Sequence, residues 1–337
     1  MIKVKSGSNS SILSVGTYRA KNLIPNSAIV EQIESSDEWI QQRTGIESRR
    51  FADKDVTVID MGVAAAKEAL TRANINSDKI DAIILATITY PHQTPSGASG
   101  IAAAIGANKA AAFDLAAACA GFTYGVGLAS DMIRSGNAKY VLVIGSEKIS
   151  DFTNPTDRAT AFIFADGAGA VVIGPTEEPG IGPTVWGSDS DQRDAITMSS
   201  WLDYKDNPAP ANTIAWPYII QEGQRVFRWA AFSVSKVGAM AIEEAGLKPE
   251  ELKAFVPHQA NLRIIESMAK DMHLGSDVVI ADDIRTNGNT SSASIPLAMD
   301  ALLKTHPELH GQLALIIGYG AGLAYAAQVV RLPSKSS

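Results

Sequence analysis

Ala73-Asn-Ile-Asn-Ser-Asp-Lys-Ile-Asp-Ala-Ile-Ile-Leu-Ala86 returns in outline as Ala245-Gly-Leu-Lys-Pro-Glu-Glu-Leu-Lys-Ala-Phe-Val-Pro-His258. With no gap, Ala73 meets Ala245, Ile75 meets Leu247, Ile80 meets Leu252, Ala82 meets Ala254 and Ile84 meets Val256. The apolar run in each copy is too hydrophobic for a half-exposed strand and fits one covered on both faces. Further on, Asp114-Leu115 answers Asp283-Ile284, and a strand at Val141 answers one at Leu313. The offset stays near constant, at 172 (245 − 73) and 169 (283 − 114). Weak identity at a steady offset is the trace of a duplicated unit. Strands alternate with helices in each copy, so each unit is α/β.

The remaining elements follow from spacing. Ser11-Ile-Leu-Ser-Val-Gly16 reads as an opening strand closed by glycine. Asn26 or Ser27 starts a short helix to Ile33, and Ser36 is placed to cap the next one. Trp39, Arg43, Arg49 and Arg50 form a basic and aromatic group that suits either a solvated turn or a ligand contact. Met61, Ala64, Ala65, Ala69 and Leu70 share one face of a helix over 59–73. Ser96 to Ile105 is a helix of small residues, and Tyr140 to Gly145 a second buried strand. Thr160 to Gly174 reads as two strands around a glycine turn. Prolines then break the pattern from Pro175 to about Gly223, an irregular cap, before helical spacing resumes from Phe227 to Ala245. The expected division is an N-terminal half over 1–178 and a C-terminal half over 179–337, with the cap at about 179–223.

A chain of 337 residues is long enough for two core units. Its net charge of −7 argues against a nucleic-acid partner held by charge. One cysteine allows no intrachain disulfide, so nothing points to an oxidising compartment. The N-terminus, Met1-Ile-Lys-Val-Lys-Ser-Gly7, has no apolar run of signal-peptide length, and no run of about 18 apolar residues marks a membrane span. The expectation is a soluble, cytoplasmic protein.

The cysteine sits in Phe113-Asp-Leu-Ala-Ala-Ala-Cys-Ala-Gly-Phe122, between a strand-like and a helix-like segment. A thiol on such a turn, ringed by tiny side chains, is open to a substrate. Helix N-terminal N–H groups would favour its thiolate. A buried cysteine packed as a small hydrophobe is the other reading. The second half sets three features opposite it. Val256-Pro-His-Gln-Ala-Asn-Leu-Arg-Ile264 places a histidine just beyond a buried strand. Asn287-Gly-Asn-Thr-Ser-Ser-Ala-Ser-Ile-Pro296 holds the duplicate position of the cysteine turn. Ile317-Gly-Tyr-Gly-Ala-Gly-Leu323 is a glycine-rich strand end. Those glycines enter a strand rather than a helix, which excludes a dinucleotide-binding turn.

With these runs the sequence resembles the β-ketoacyl-acyl-carrier-protein synthases III, the chain-initiating condensing enzymes of the thiolase superfamily. The resemblance rests on Ser36-Asp-Glu-Trp-Ile, Arg43-Thr-Gly-Ile, Ala117-Ala-Cys-Ala-Gly-Phe, Asp157-Arg, Asp166-Gly-Ala-Gly-Ala, the Val256–Ile264 run, Gly288-Asn-Thr-Ser and the tail, which is similar to that of actinobacterial members. It spans residues 11–332. A thiolase would need a second cysteine, and the chain-extending relatives carry a second histidine where this chain has Asn289.

The family implies a thiolase-like fold of two duplicated α/β halves in an α-β-α-β-α layered core. It implies a Cys119-His258-Asn289 site, with no cofactor and no metal, that condenses an acyl-CoA primer with malonyl-acyl-carrier protein to start fatty acid biosynthesis. A sibling enzyme priming a polyketide pathway and an inactive carrier-binding subunit are the alternatives. Backbone N–H groups of Cys119 and Ala321 would hold the oxyanion. Trp39, Arg43, Arg158, Asn261, Gly223 and Phe227 would contact CoA and its pantetheine. Thr94 would line the acyl pocket, deep because Ser96, Gly97 and Ala98 are small too. Arg228 and Arg263 would dock the acidic carrier protein. A homodimer is implied, with the apolar strand after the cysteine helix at its interface, and neither nucleic acid nor membrane as a partner.

Overall fold

The computed structural model describes residues 5–198 and 216–335. The expected cap therefore lies partly, at 199–215, outside the described residues. Two five-stranded sheets organise the chain. Across the first, the order is Asn9–Arg19, Asp166–Thr176, Val141–Lys148, Ala82–Ala86, Ala111–Leu115. Across the second it is Val185–Ser188, Ala324–Arg331, Leu313–Tyr319, Ala254–Pro257, Val279–Ile280. This is one topology used twice. Each sheet has three parallel strands at one end and antiparallel pairings at the other. Ala82 pairs with Val141 as Ala254 pairs with Ala314, so Val141 answers Ala314 rather than Leu313, an offset of 173 (314 − 141). We propose the division between the halves near residue 178, between Asp166–Thr176 and Val185–Ser188.

Alternation along the strands builds the layers. Ile83, Leu85, Leu142 and Ile144 pack with Met61, Ala65 and Ala69 of the helix Val58–Ala73 and Ile101 of the helix Gly97–Ile105. Their neighbours Ala82, Ile84, Val141 and Val143 face a middle layer. It holds Phe122 and Val126 of the helix Gly121–Arg134, and Ile295 and Met299 of the helix Ser294–Thr305. Val256 and Ile316 of the second sheet reach that same layer. Phe255, Leu315 and Ile317 face outward, onto Val237 and Ala241 of the helix Ser235–Glu244 and Ile265 and Met268 of the helix Leu262–Asp271. The result is five layers, α-β-α-β-α. Each buried aliphatic side chain contributes about 1.5–3 kcal/mol. Among the described residues no helix is long and apolar enough to cross a membrane.

Several expectations change. Gly16 does not close the first strand. It lies inside Asn9–Arg19, where a Cβ would sit 2.2 Å from Ala69 N and 2.4 Å from Ala65 O. Asp166–Thr176 is one strand rather than two around a turn. Gly169 is there because a Cβ would meet Pro296 Cγ at 2.6 Å. The helix expected over 227–245 has a π turn, Ala230–Val234, between Gly223–Trp229 and Ser235–Glu244. The strand after the cysteine helix, Val141–Lys148, is buried along its length in the middle of its sheet, so it cannot form a dimer interface. Ala111–Leu115 is instead an edge strand of that sheet, and Phe113 on it is exposed.

Gly145 carries a sharp test of how the halves meet. A Cβ there would lie 2.3 Å from Ser292 O, backbone against backbone. Gly145→Ala should lower the urea midpoint by the equivalent of about 3 kcal/mol. Gly223→Ala, with nothing within 4 Å of its Cβ position, should not lower it. Equal midpoints for the two variants would contradict this close approach.

Candidate active site

The helices Gly121–Arg134 and Ser294–Thr305 are each preceded by one tight turn, Ala118–Ala120 and Ser291–Ala293. The turns are counterparts. Ala118 has φ 46° and Ser291 φ 50°, the left-handed region that non-glycine residues rarely enter. Gly318 approaches the first turn as Gly145 approaches the second, with a Cβ 3.0 Å from Ala120 Cα. The counterpart of Cys119 is therefore Ser292.

A cavity of about 660 Å³ opens at this junction, and Cys119, His258 and Asn289 all line it. His258 follows the strand Ala254–Pro257, and its N–H donates to Ile317 O at 2.7 Å. Its ring Nδ1 is 2.7 Å from Ser294 Oγ. That oxygen already accepts the Gln259 N–H at 3.2 Å, so its own proton is free for Nδ1. Donation from Ser294 to Nδ1 puts the imidazole proton on Nε2. The Tyr319 ring packs edge-on at 5.1 Å. Burial lowers the imidazole pKa to about 3, so the ring is neutral.

Asn289 comes out of a turn in which Gly288 takes φ 69°. Its backbone is fixed by Ile163 O at 2.9 Å and Ala165 N at 2.8 Å. Its side-chain oxygen accepts the Ser291 N–H at 2.8 Å. The amide NH₂ is the end left for a substrate.

Cys119 lies against the end of the strand Leu313–Tyr319. A Cβ on Gly320 would stand 2.8 Å from Cys119 N and 3.1 Å from its Sγ, so this position demands glycine. The thiol opens onto the cavity yet lies deep in the protein. Burial pushes its pKa up to about 12, Ser291 and the cysteine's own N–H pull down, and Glu147 adds to the rise. Stabilisation by the helix N-terminus, expected from the sequence, is outweighed by desolvation, and the thiol is the resting form.

Glu147 went unnoticed in the sequence because a lone acid after the apolar run Val141–Ser146 looks like a strand's exposed end. It is fully buried. Its carboxyl meets Thr89 Oγ1 at 2.7 Å, Thr87 Oγ1 and Ile88 N at 3.1 Å, and Ser292 Oγ at 3.0 Å. Ser292 has one proton and a second acceptor, Ala86 O, at 2.8 Å. Burial raises the Glu147 pKa, against the pull of these hydrogen bonds.

Towards the mouth, Arg158 and Arg43 lie over the Trp39 ring at 5.3 and 5.8 Å, and Arg263 over Phe227 at 5.4 Å. The Asn261 side chain caps Arg263 N at 2.9 Å and donates to Arg43 O at 3.0 Å, tying the rim together. Trp39, Arg43, Gly223, Phe227, Arg228, Asn261, Arg263 and Ala321 line the cavity, whereas Arg158 stands outside it on Trp39. Ile88, Ile149, Phe164, Ile196, Met198 and Ile219 make an apolar wall. Thr94, expected in the acyl pocket, is on an exposed loop and does not line the cavity of its own chain. Nor do Ser96, Gly97 and Ala98; Ala98 packs outside the first sheet. Arg49 is buried and structural, bonded to Asn26 Oδ1 and, at 3.2 Å, Ile24 O.

Comparison with known proteins finds relatives along nearly the whole chain. Residues 113–190 match the family 3-oxoacyl-[acyl-carrier-protein (ACP)] synthase III, and residues 242–332 its C-terminal family. The chain is 54% identical to a beta-ketoacyl-[acyl-carrier-protein] synthase III of Mycobacteroides abscessus, covering 96% of this chain and 94% of that one. It is 52% identical to synthase III 1 of Streptomyces coelicolor, covering 96% of each. Among solved structures, the priming beta-ketosynthase of the R1128 polyketide pathway superposes with a TM-score of 0.96 at 42% identity over 99% of both chains. The 3-oxoacyl-[acyl-carrier-protein] synthase III of Aquifex aeolicus gives 0.86 at 38% identity, over 96% of this chain and 100% of that one. Identity of this extent along nearly the whole chain means that the protein belongs to the 3-oxoacyl-[acyl-carrier-protein] synthase III family of condensing acyltransferases.

Proposed function

We propose that the protein condenses an acyl-CoA primer with malonyl-acyl-carrier protein, releasing CO₂ and giving 3-oxoacyl-acyl-carrier protein, the first condensation of fatty acid biosynthesis. The observation that carries this is the meeting of the single cysteine with a neutral His258 and the Asn289 amide on one cavity. The Cys119 sulfur attacks the primer thioester; the new C–S bond forms as the bond to the CoA sulfur breaks, and CoA takes up the proton. N–H groups of Cys119 and Ala321 hold the oxyanion. The acyl chain lies along Ile88, Ile149, Phe164, Ile196, Met198 and Ile219. Loss of CO₂ from the malonyl group then leaves an enolate. His258 Nε2–H and the Asn289 NH₂ are neutral donors aimed at such an oxygen. The enolate carbon attacks the acyl group and expels the thiolate, which takes up a proton from water to restore the thiol. CoA and the carrier protein are substrates, and no step calls for a cofactor.

At the mouth, Trp39 with Arg43 and Arg158 supplies an aromatic face flanked by cations for the CoA nucleotide, and Asn261, Gly223 and Phe227 border the pantetheine path. Arg228 and Arg263 are exposed bases in an acidic chain, suited to an acidic carrier protein. The free strand Ala111–Leu115 suits pairing with the same strand of a second copy. The Thr94 loop adjoins that edge, since Gly97 and Ala98 N–H groups bond the Asp114 carboxylate at 2.8 Å. On this reading Thr94 serves the acyl pocket of the partner in a homodimer. Similarity to the R1128 priming ketosynthase supports a second reading, priming of a polyketide pathway by the same chemistry.

Three outcomes test the mechanism. Incubation with acyl-CoA should add one acyl mass to the protein and none to Cys119→Ala; wild-type protein that stays unmodified would sink the assignment. His258→Ala and Asn289→Ala should slow CO₂ release from malonyl-carrier protein about 100-fold and leave acylation nearly intact. An equal loss in both steps would show that these residues do not divide the work as proposed. With His258 near 3 and already neutral, decarboxylation should stay flat between about pH 5 and 8. With the thiol near 12, acylation should rise about tenfold per pH unit over that range. A decarboxylation profile that bends near the free-histidine value would contradict the neutral donor.

A further inference from the structure

Ser291 carries a buried hydroxyl that makes no well-formed hydrogen bond in the resting protein, although it stands close to both the Cys119 thiol and the Glu147 carboxyl. The residue is 1% exposed, and its Oγ has no hydrogen-bond partner in the protein. Burial of an unpaired hydroxyl is destabilising, so it is retained for a reason. The residue lines the cavity beside Cys119, near enough to the thiol to draw its pKa down. The backbone does not explain it. Ala118 holds the same left-handed conformation at the counterpart position without a hydroxyl. Nor is a second serine needed to fasten the turn, because Ser292 already bonds Ala86 O and Glu147.

We propose that Ser291 is a further catalytic residue: its hydroxyl donates a hydrogen bond to the Cys119 sulfur whenever that sulfur carries the thiolate charge. The proposal rests on Cys119 being the nucleophile. Ser291 keeps its proton throughout. In acylation the proton of Cys119 leaves with the CoA sulfur, as the acyl bond moves from one sulfur to the other. In condensation the new C–C bond forms, the acyl–Sγ bond breaks, and its electron pair returns to Sγ. At both points a charge develops on Sγ inside a low-dielectric cavity. The titratable groups facing it are Glu147, Tyr319 and the neutral His258, none of them cationic. Among the neutral donors, the Ser291 hydroxyl and the cysteine's own N–H are the two that already favour the charged form of Cys119 in the resting protein.

Ser291→Ala tests this, read by acyl-transfer rate from acyl-CoA and by iodoacetamide alkylation of Cys119 across pH. The melting temperature should hold or rise, because an unpaired hydroxyl is removed and alanine tolerates this turn at position 118. Acylation at neutral pH should fall about 10- to 100-fold. Alkylation should fall by a similar factor at each pH, equivalent to a thiol shifted up by about one to two units. Crowding cannot mimic that fall, since the substitution only widens access. Ser292→Ala, which loses a bonded hydroxyl, should melt lower and keep the wild-type alkylation profile. Wild-type acylation and alkylation in Ser291→Ala would overturn the proposal. A lowered melting point with an unmoved alkylation profile would overturn it too, by making the residue structural. A wild-type protein that accepts no acyl group would instead remove the nucleophile reading, and the proposal with it.

Discussion

Everything at the site depends on backbone meeting backbone where the two sheets end. Gly320 lies against Cys119 with no room for a Cβ, Gly318 against Ala120, and Gly145 against Ser292. Such contacts hold only if sheet spacing, helix start and turn geometry are all fixed. The five-layer packing supplies that rigidity, with the helices Gly121–Arg134 and Ser294–Thr305 side by side in the middle layer. The same closeness shapes the chemistry. It removes water from Cys119 and His258, so burial dominates both pKa values and leaves a thiol and a neutral imidazole. Neutral donors and backbone N–H groups are what such an environment can offer a developing anion without carrying a charge themselves.

The duplicated fold was legible because a strand covered on both faces leaves a continuous apolar run, and two such runs recur at a steady offset. Cys119, His258 and Asn289 were legible because each falls at a strand end or helix start within an unusual string of small or polar residues. Glycines misled. Gly16 and Gly169 have the same local context whether they end a strand or admit a neighbouring backbone, and only the tertiary partner decides. Arg49 looked like a surface base beside Arg50 but is buried against Asn26. Thr94 belongs to an exposed loop, which no local pattern reveals. Glu147 and Ser294 meet partners more than thirty residues away, and Ser291 joins the cavity from the opposite half to Cys119; sequence spacing does not report such contacts.

The internal duplication makes the site its own control. An offset of 173 places Gly320 opposite Glu147 (147 + 173), as it places Ser292 opposite Cys119 (119 + 173). At the mirrored position a side chain fills the gap: the Glu147 carboxyl reaches Ser292 and is held by Thr87, Ile88 and Thr89. The Glu147 carboxyl and the Ser292 hydroxyl both have partners there. At the Cys119 position the side chain opposite is deleted and the thiol is left facing a cavity, with the unpaired Ser291 hydroxyl of the mirrored turn on the same cavity. Two turns with one backbone geometry thus differ in satisfaction. A fold built twice would be more stable with both turns filled, so the open one persists because a ligand completes it. That asymmetry singles out the Cys119 turn as the candidate reactive centre on physical grounds alone, before any family likeness is considered.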